Sequence, residues 1–461
     1  MALEAAFFLP HPPLIFNEIG RGREEGISKT IDSFNKVAVE ISSIKPETII
    51  IISPHTTIYA DYFHISPGKK AYGDFSDFYA KELKAEVSYD KELADEISKH
   101  AGIFDLAAGT EGEKNPKLDH ASLIPILFIK KYLDDLNVIR IGFSGLSNSD
   151  HYRFGTAVAN ACSALERKVV LIASGDLSHK LLGEGPYGFN PAGPKFDKKM
   201  TDIMVSSNFL DLLETDSDLA EEAGECGFRS FLILAGALDG YNVESTLLSY
   251  EGPFGVGYAI SSFFPKEKSD ERKFLTPYFT RRDERLSEIK ANEDAFVSLA
   301  RASVEHFINK NKALKLPSNL PSELLETKAG VFVTLKKEGN LRGCIGTIFP
   351  TKNSVAEEII NNAISAATHD YRFDRVEPEE LNLLEYSVDV LGAPEPVNST
   401  EDLDPERFGV IVSIGNRRGL LLPALSGVDT VEKQIKIALQ KAGIRESEDY
   451  SIERFEVVRH T

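Results

Sequence analysis

Apolar positions in the first 265 residues fall into two alternating patterns. Short runs rich in Ile, Val, Leu and Phe predict strands at 5–9, 48–53, 137–143, 168–174, 246–250 and 256–264. Several are apolar at nearly every position, as a strand is when both its faces are buried. Between them, Ile27, Ile31, Phe34, Ala38 and Ile41 recur at alternating steps of four and three, the stripe of one helix face. Helices are also predicted over 122–132, 150–165 and 228–238. Strand–helix alternation of this kind argues for a layered α/β unit.

The pattern changes after Pro265. Residues 266–284 hold Lys266, Glu267, Lys268, Asp270, Glu271, Arg272 and Lys273, then Arg281, Arg282, Asp283 and Glu284. So charged a stretch predicts a linker. A second unit, 285–461, opens with the helical stripe Val297, Ala300, Val304 and Ile308. Strands at 330–335, 344–349, 385–391, 409–414 and 419–422, with helices at 355–367 and 431–442, make it α+β. The chain therefore reads as domains 1–265 and 285–461 joined by 266–284, without an internal repeat.

Composition narrows the function classes. The 461 residues leave room for two or three domains. A formal net charge of -19 repels phosphate backbones, which excludes nucleic acid as the expected partner. No basic amphipathic stretch and no run near the ~20 apolar residues of a bilayer span is present, so no membrane partner is expected. Cys162, Cys226 and Cys344 are odd in number and far apart, which gives no disulfide framework and no CxxC zinc site. Residues 1–16 carry Glu4 and three prolines and lack a basic leader, so they do not read as a signal peptide. A reducing, cytoplasmic setting is the expectation.

The candidate chemistry sits at strand ends. Pro10-His11-Pro12-Pro13, Ser53-Pro54-His55 and Ser174-Gly175-Asp176-Leu177-Ser178-His179 each follow a predicted strand, and Gly224-Glu225-Cys226-Gly227 opens a predicted helix. In an α/β sheet such ends converge on one edge, the edge that carries ligands. Two neutral imidazoles and a carboxylate form a facial triad that holds Fe(II) and leaves positions open. A further unbound histidine can move protons near neutral pH. Each residue alone has a commoner use. Histidines beside prolines are ordinary in loops, Asp176 or His120 can cap a helix, Glu225 suits a helix's first turn, and Cys226 suits a small buried position.

Together, PHPP around His11, SPH at His55, Asp119-His120 and SGDLSH at 174–179 resemble the LigB-type class III extradiol dioxygenases and the related Memo proteins. The resemblance covers about residues 1–265 and implies a mixed central sheet with flanking helices. It implies His11 and His55 as metal ligands, His179 as the acid/base residue, His120 as the substrate-side histidine, and Asp176 as the group that orients or polarises His179. For the third ligand it ranks Glu225 first, Cys226, which Memo proteins favour, second, and Glu251 third. The implied metal is Fe(II), with Zn as an alternative on purification, and the implied co-substrates are a small catechol-like aromatic molecule and O₂.

In the second domain, Leu341-Arg342-Gly343-Cys344-Ile345-Gly346-Thr347, His369-Asp370-Tyr371-Arg372-Phe373 and Gly419-Leu420-Leu421-Leu422-Pro423 resemble the AMMECR-type domain, with Tyr371 where that family usually has Pro. Cys344, Arg342 and Arg372 are its pocket candidates. A cysteine beside an arginine can be a stabilised thiolate, although a buried structural cysteine is the commoner case. Three readings follow. One is a ring-cleaving Fe(II) dioxygenase. The second is a Memo-like metal protein that works with a radical S-adenosylmethionine partner and does not cleave rings. The third is an enzyme centred on Cys344.

Overall fold

A computed structural model of the chain describes residues 2–397, 399–425 and 427–461. It divides into two units, 1–279 and 280–461. The first is built on an eight-stranded mixed sheet: β1 (Leu3–Leu9), β2 (Thr48–Ser53), β3 (Lys70–Phe75), β4 (Ala80–Tyr89), β5 (Asn137–Gly142), β6 (Val169–Ser174), β7 (Tyr241–Glu251) and β8 (Tyr258–Lys268). Their order across the sheet is β3-β4-β5-β2-β6-β1-β8-β7. The central strands β5, β2, β6 and β1 run parallel, while β8 and β7 return antiparallel.

The parallel core explains the unbroken apolar runs. Ala6, Phe8, Ile50, Ile52, Leu171 and Ala173 bury themselves against one set of helices. Their alternating neighbours Ala5, Phe7, Ile49, Ile51, Val170 and Ile172 do so against another. On these faces lie α1 (Ser28–Ile44), α2 (Lys91–Ile103), α3 (His120–Ile129), α4 (Asn148–Ala164), α5 (Ala192–Ser206) and α6 (Phe228–Ala237). Strands β3 and β4 and helices α2 and α5 were not foreseen. In β4, Lys81, Glu82, Lys84 and Glu86 are exposed around buried Ala80, Ala85 and Val87, so its apolar signal is diluted.

The expected linker at 266–284 is a correction. Residues 266–268 finish β8, Asp270–Arg272 form a 3-10 turn, and α7 (Leu275–Asn292) begins at once. Phe274 and Tyr278 are buried in the first unit's core, so the charges decorate an amphipathic helix.

The second unit holds α8 (Ala295–Lys310), β9 (Val331–Lys337), β10 (Asn340–Gly346), α9 (Val355–Thr368), β11 (Leu384–Leu391), β12 (Gly409–Ile414), β13 (Arg417–Leu421), α10 (Val431–Ala442), β14 (Ser451–Phe455) and β15 (Val457–His460). One antiparallel sheet runs β10-β9-β11-β15; in the other β12 lies between β14 and β13, with Glu395–Pro396 at the edge. The strand expected at 344–349 lies earlier because a turn at Glu338 and Gly339, both at positive φ, closes the hairpin after β9. Among the described residues no helix is long and apolar enough to cross a membrane.

Helices α4 and α6 touch through glycines. A Cβ on Gly155 would strike the Ile233 carbonyl, and one on Gly236 the Tyr152 carbonyl. Gly236→Ala is expected to cost roughly 1–3 kcal/mol through overpacking. Gly102→Ala on α2, where nothing stands within 4 Å, is expected to be neutral or to stabilise by up to about 1 kcal/mol. In thermal melts Gly236→Ala should therefore unfold below the parent, and Gly102→Ala at or above it.

Candidate metal centre

Register brings the candidate residues level. Leu9 of β1 pairs with Ser174 of β6, and Ile52 of β2 pairs with Ala173. The three adjacent strands thus end at one height. His11, His55 and Asp176 each lie two residues beyond the last residue of their strand. The fourth segment arrives from the helix side. Gly227 stands against Gly175 so closely that a Cβ on Gly175 would overlap its Cα, and this approach places Cys226 over Asp176. The Asp176 N–H donates to Cys226 Sγ at 3.3 Å.

Three donor atoms meet there. His11 Nε2 is 3.0 Å from His55 Nε2 and 3.5 Å from Cys226 Sγ. The orientation of His11 is fixed from behind. Ser174 Oγ donates to the Ala121 carbonyl at 2.8 Å, so toward His11 Nδ1, 3.1 Å away, it accepts. Nδ1 is therefore the protonated nitrogen, and the Nε2 lone pair faces the other two donors. The His11 backbone N–H also donates to Asp176 Oδ1 at 2.8 Å. His55 is set by a short relay in which its N–H donates to Ser53 Oγ and Ser53 Oγ donates to Asp119 Oδ1.

Burial holds the imidazoles neutral. His11 is pushed well below its usual value, first by desolvation and then by the neighbouring His120, His55 and His179. His55 is lowered by desolvation, against the pull of Asp119, although its ring is open to solvent. Desolvation brings His120 and His179 each down to about 4. It also pushes the Cys226 thiol well up and Asp176 up to about 7. With Nδ1 of His11 protonated, His55 Nε2 donates to His11 Nε2, and neutral rings whose nitrogens meet in this way are the form a metal ion takes up. Two such nitrogens and a thiol that ionises on binding suit a borderline transition metal, so the residues fit one.

Comparison with known proteins identifies the family. Residues 5–261 match the family described as the catalytic LigB subunit of aromatic ring-opening dioxygenase. The chain belongs to the LigB family. Residues 297–460 match the AMMECR1 family, so a LigB domain is followed by an AMMECR1 domain. The protein CA_C1420 of Clostridium acetobutylicum is 42% identical over 100% of this chain and 99% of its own length. A protein of Thermotoga maritima is 49% identical over 36% of this chain and 98% of its own. The crystal structure of the uncharacterized protein PH0010 from Pyrococcus horikoshii shares 33% identity over 36% of this chain and 88% of that one, with a TM-score of 0.34.

Within the LigB domain the third donor is a correction. Glu225, ranked first, turns its carboxylate to the Phe228 N–H at the start of α6. It is not in the donor group, and desolvation raises it to about 7. Glu251, ranked third, accepts from the N–H and hydroxyl of Thr30, both at 2.8 Å, on the opening turns of α1. Cys226 completes the group with His11 and His55. Asp176 is corrected too: it bonds the His11 backbone, and no hydrogen bond joins it to His179 among the described residues.

His120 stacks on His55 at 4.4 Å and lies on the wall of a cleft of about 430 Å³ that also includes Thr56, Phe75, Phe78 and Lys117. His179 stacks on Tyr187 at 5.1 Å. Its loop is tied down by Asp197, which accepts from the Ser178 N–H and the Tyr250 hydroxyl, both at 2.7 Å. Ser174, Tyr187 and Asp197 were missed. Ser174 stood inside a motif already singled out; the other two carry no local signal.

In the AMMECR1 domain, Cys344 is half-buried. Its N–H donates to Asp370 at 2.9 Å, and Thr334 Oγ1 donates to its sulfur at 3.3 Å. Arg372 is held by Asp370 and reaches the Cys344 carbonyl. Arg342 departs from expectation. It falls at a register shift between β9 and β10, and its guanidinium bonds Glu380 and the Asp374 and Arg375 carbonyls. A bulge of this kind re-aims a side chain.

The Ser174 contact predicts an observable tautomer. In metal-free protein, ¹⁵N shifts of His11 should report a neutral ring protonated at Nδ1 from pH 8 down through pH 6, because its lowered pKa lets the neutral form persist into acid. Ser174→Ala should mix the two tautomers. A charged His11 at pH 6, or an unchanged spectrum in the variant, would contradict this geometry.

Proposed function

We propose that the LigB domain is a mononuclear metalloenzyme of the Memo kind, with His11, His55 and Cys226 as ligands to a divalent transition metal, Fe(II) by family likeness. The observation that carries this reading is Cys226 Sγ at 3.5 Å from His11 Nε2, while the Glu225 carboxylate is engaged at a helix start. When bound, the metal supplies a Lewis acid with open positions for a chelating, hydroxyl-bearing substrate. The protein's residues do the rest. The cleft beside His55 and His120 receives the substrate, with Phe78 offering apolar surface and His120 a hydrogen-bonding edge. His179, half-buried and neutral, accepts a proton from the substrate hydroxyl and returns it. Tyr187 covers one face of its ring.

A second reading, O₂-dependent opening of a catechol-like ring, is favoured by one observation. His120 stacks on His55 at the cleft wall, and a His179 ring nitrogen lies within 4.8 Å of Cys226 Sγ, so two further imidazoles border the donor group. A partner from a radical S-adenosylmethionine system would belong to the first reading, and a small aromatic molecule with O₂ to the second.

Metal-free protein reconstituted anaerobically with Fe(II) separates these readings. His11→Ala, His55→Ala and Cys226→Ser should each lose most of the iron while staying folded by circular dichroism, whereas Glu225→Gln keeps it. His179→Ala should retain one iron per chain and lose roughly 10²–10⁴-fold in turnover, the range usual for an acid/base residue. O₂ uptake against a panel of catechols then decides between them. Iron content indifferent to both histidine substitutions would end the metal-centre reading.

A further inference from the structure

The donors at this sheet edge form two groups. His11, His55 and Cys226 make one, and Asp176, His179 and Cys226 the other; within each, the ligand atoms lie within 4.8 Å of one another. Cys226 belongs to both. The second group has donors to spare. His179 Nε2 is buried with no hydrogen-bond partner among the described residues. Asp176 uses Oδ1 on the His11 backbone, and its Oδ2 stands 4.0 Å from His11 Nε2, across the boundary between the groups. A buried ring nitrogen left unpaired is costly unless a cation or a hydrogen-bonding partner meets it.

We infer that Asp176, His179 and Cys226 form a second metal subsite, filled by a divalent ion of the zinc class, with the Cys226 thiolate shared between the two ions. One carboxylate oxygen, one imidazole nitrogen and one thiolate sulfur all belong to zinc's ordinary ligand set. Ions that share a ligand in two-metal sites sit roughly 3.5–4 Å apart, which suits two groups meeting at a single sulfur. The charges also suit: two divalent ions over one thiolate and one carboxylate keep a net positive charge that attracts anionic oxygen. The second ion has a consequence for the chemistry. It takes up His179, so the residue that moves the proton with one ion bound becomes a ligand with two. Filling the second subsite silences the first. This inference rests on the proposed roles of His11, His55 and Cys226.

The test titrates metal-free, full-length protein with Zn²⁺, counting metal per chain by mass spectrometry after desalting. A parallel Co²⁺ titration follows thiolate-to-cobalt absorption. The parent should hold two equivalents, Asp176→Asn and His179→Ala one each, and Cys226→Ser should weaken both. A second rise in thiolate-to-cobalt absorption, absent from the Asp176 and His179 variants, should accompany the second equivalent. A parent that saturates at one equivalent, lost in His11→Ala, overturns the second subsite and leaves the first intact. Two equivalents retained in both Asp176→Asn and His179→Ala also overturn it. Metal that depends on Asp176 and His179 but not on His11 and His55 overturns both.

Discussion

The site depends on three parallel strands ending at the same height. Strand β6 lies between β2 and β1, and its pairing with each is in step, so the residues two places beyond all three ends share one small volume. A slip of one residue in either pairing would turn the apolar side chains of that strand to the opposite face. Because both faces are packed, such a slip would disturb two cores at once. The burial that stabilises the sheet therefore also fixes where His11, His55 and Asp176 stand. Ser174 adds the last degree of order. It is the final residue of β6, and its hydroxyl, already committed to the Ala121 carbonyl, settles which nitrogen of His11 is free.

That geometry sets an electrostatic problem. Four neighbouring imidazoles, His11 buried, His120 and His179 half-buried and His55 more open, disfavour protonation, since charge there would be desolvated or would repel its neighbours. Asp176 and Cys226 meet the same penalty in the opposite sense and are pushed toward their neutral forms. A pocket of this composition holds many lone pairs and little charge. A metal ion would reverse that balance by accepting the lone pairs and drawing the proton from the thiol. Such costly groups cluster at functional sites, whereas a structural core would fill the same volume with apolar side chains.

How much of this was legible in the sequence follows from the same physics. Strands buried on both faces announce themselves as apolar runs, so β1, β2, β5 and β6 could be read almost to the residue. Strands β3 and β4, half exposed and rich in charge, could not. Nor could α7, whose polar face reads as a linker when its Phe274 and Tyr278 anchors are overlooked. His11, His55 and Asp176 were legible because each closes a strand. The third donor was not, because it rests on the close approach of Gly227 to Gly175, a tertiary contact between segments fifty residues apart. Arg342 was misread for a related reason, a register shift that only the pairing of β9 with β10 reveals.

The adjacent pair Glu225 and Cys226 shows how one position decides the chemistry of such a centre. Either side chain would bring a single negative charge to two neutral imidazoles, so the net charge of the site is the same with each. The difference lies in softness. A carboxylate suits hard ions, and a thiolate moves preference toward softer ones. In this chain the division of labour is physical. Glu225 satisfies the Phe228 N–H, one of the donors a helix start leaves open, and gains from the positive end of α6. Moving its carboxylate away would leave that N–H unpaired, while the Cys226 sulfur faces His11 at 3.5 Å and accepts the Asp176 N–H from where it stands. A metal held through Cys226 would therefore leave the capping of α6 by Glu225 intact, whereas one held through Glu225 would not.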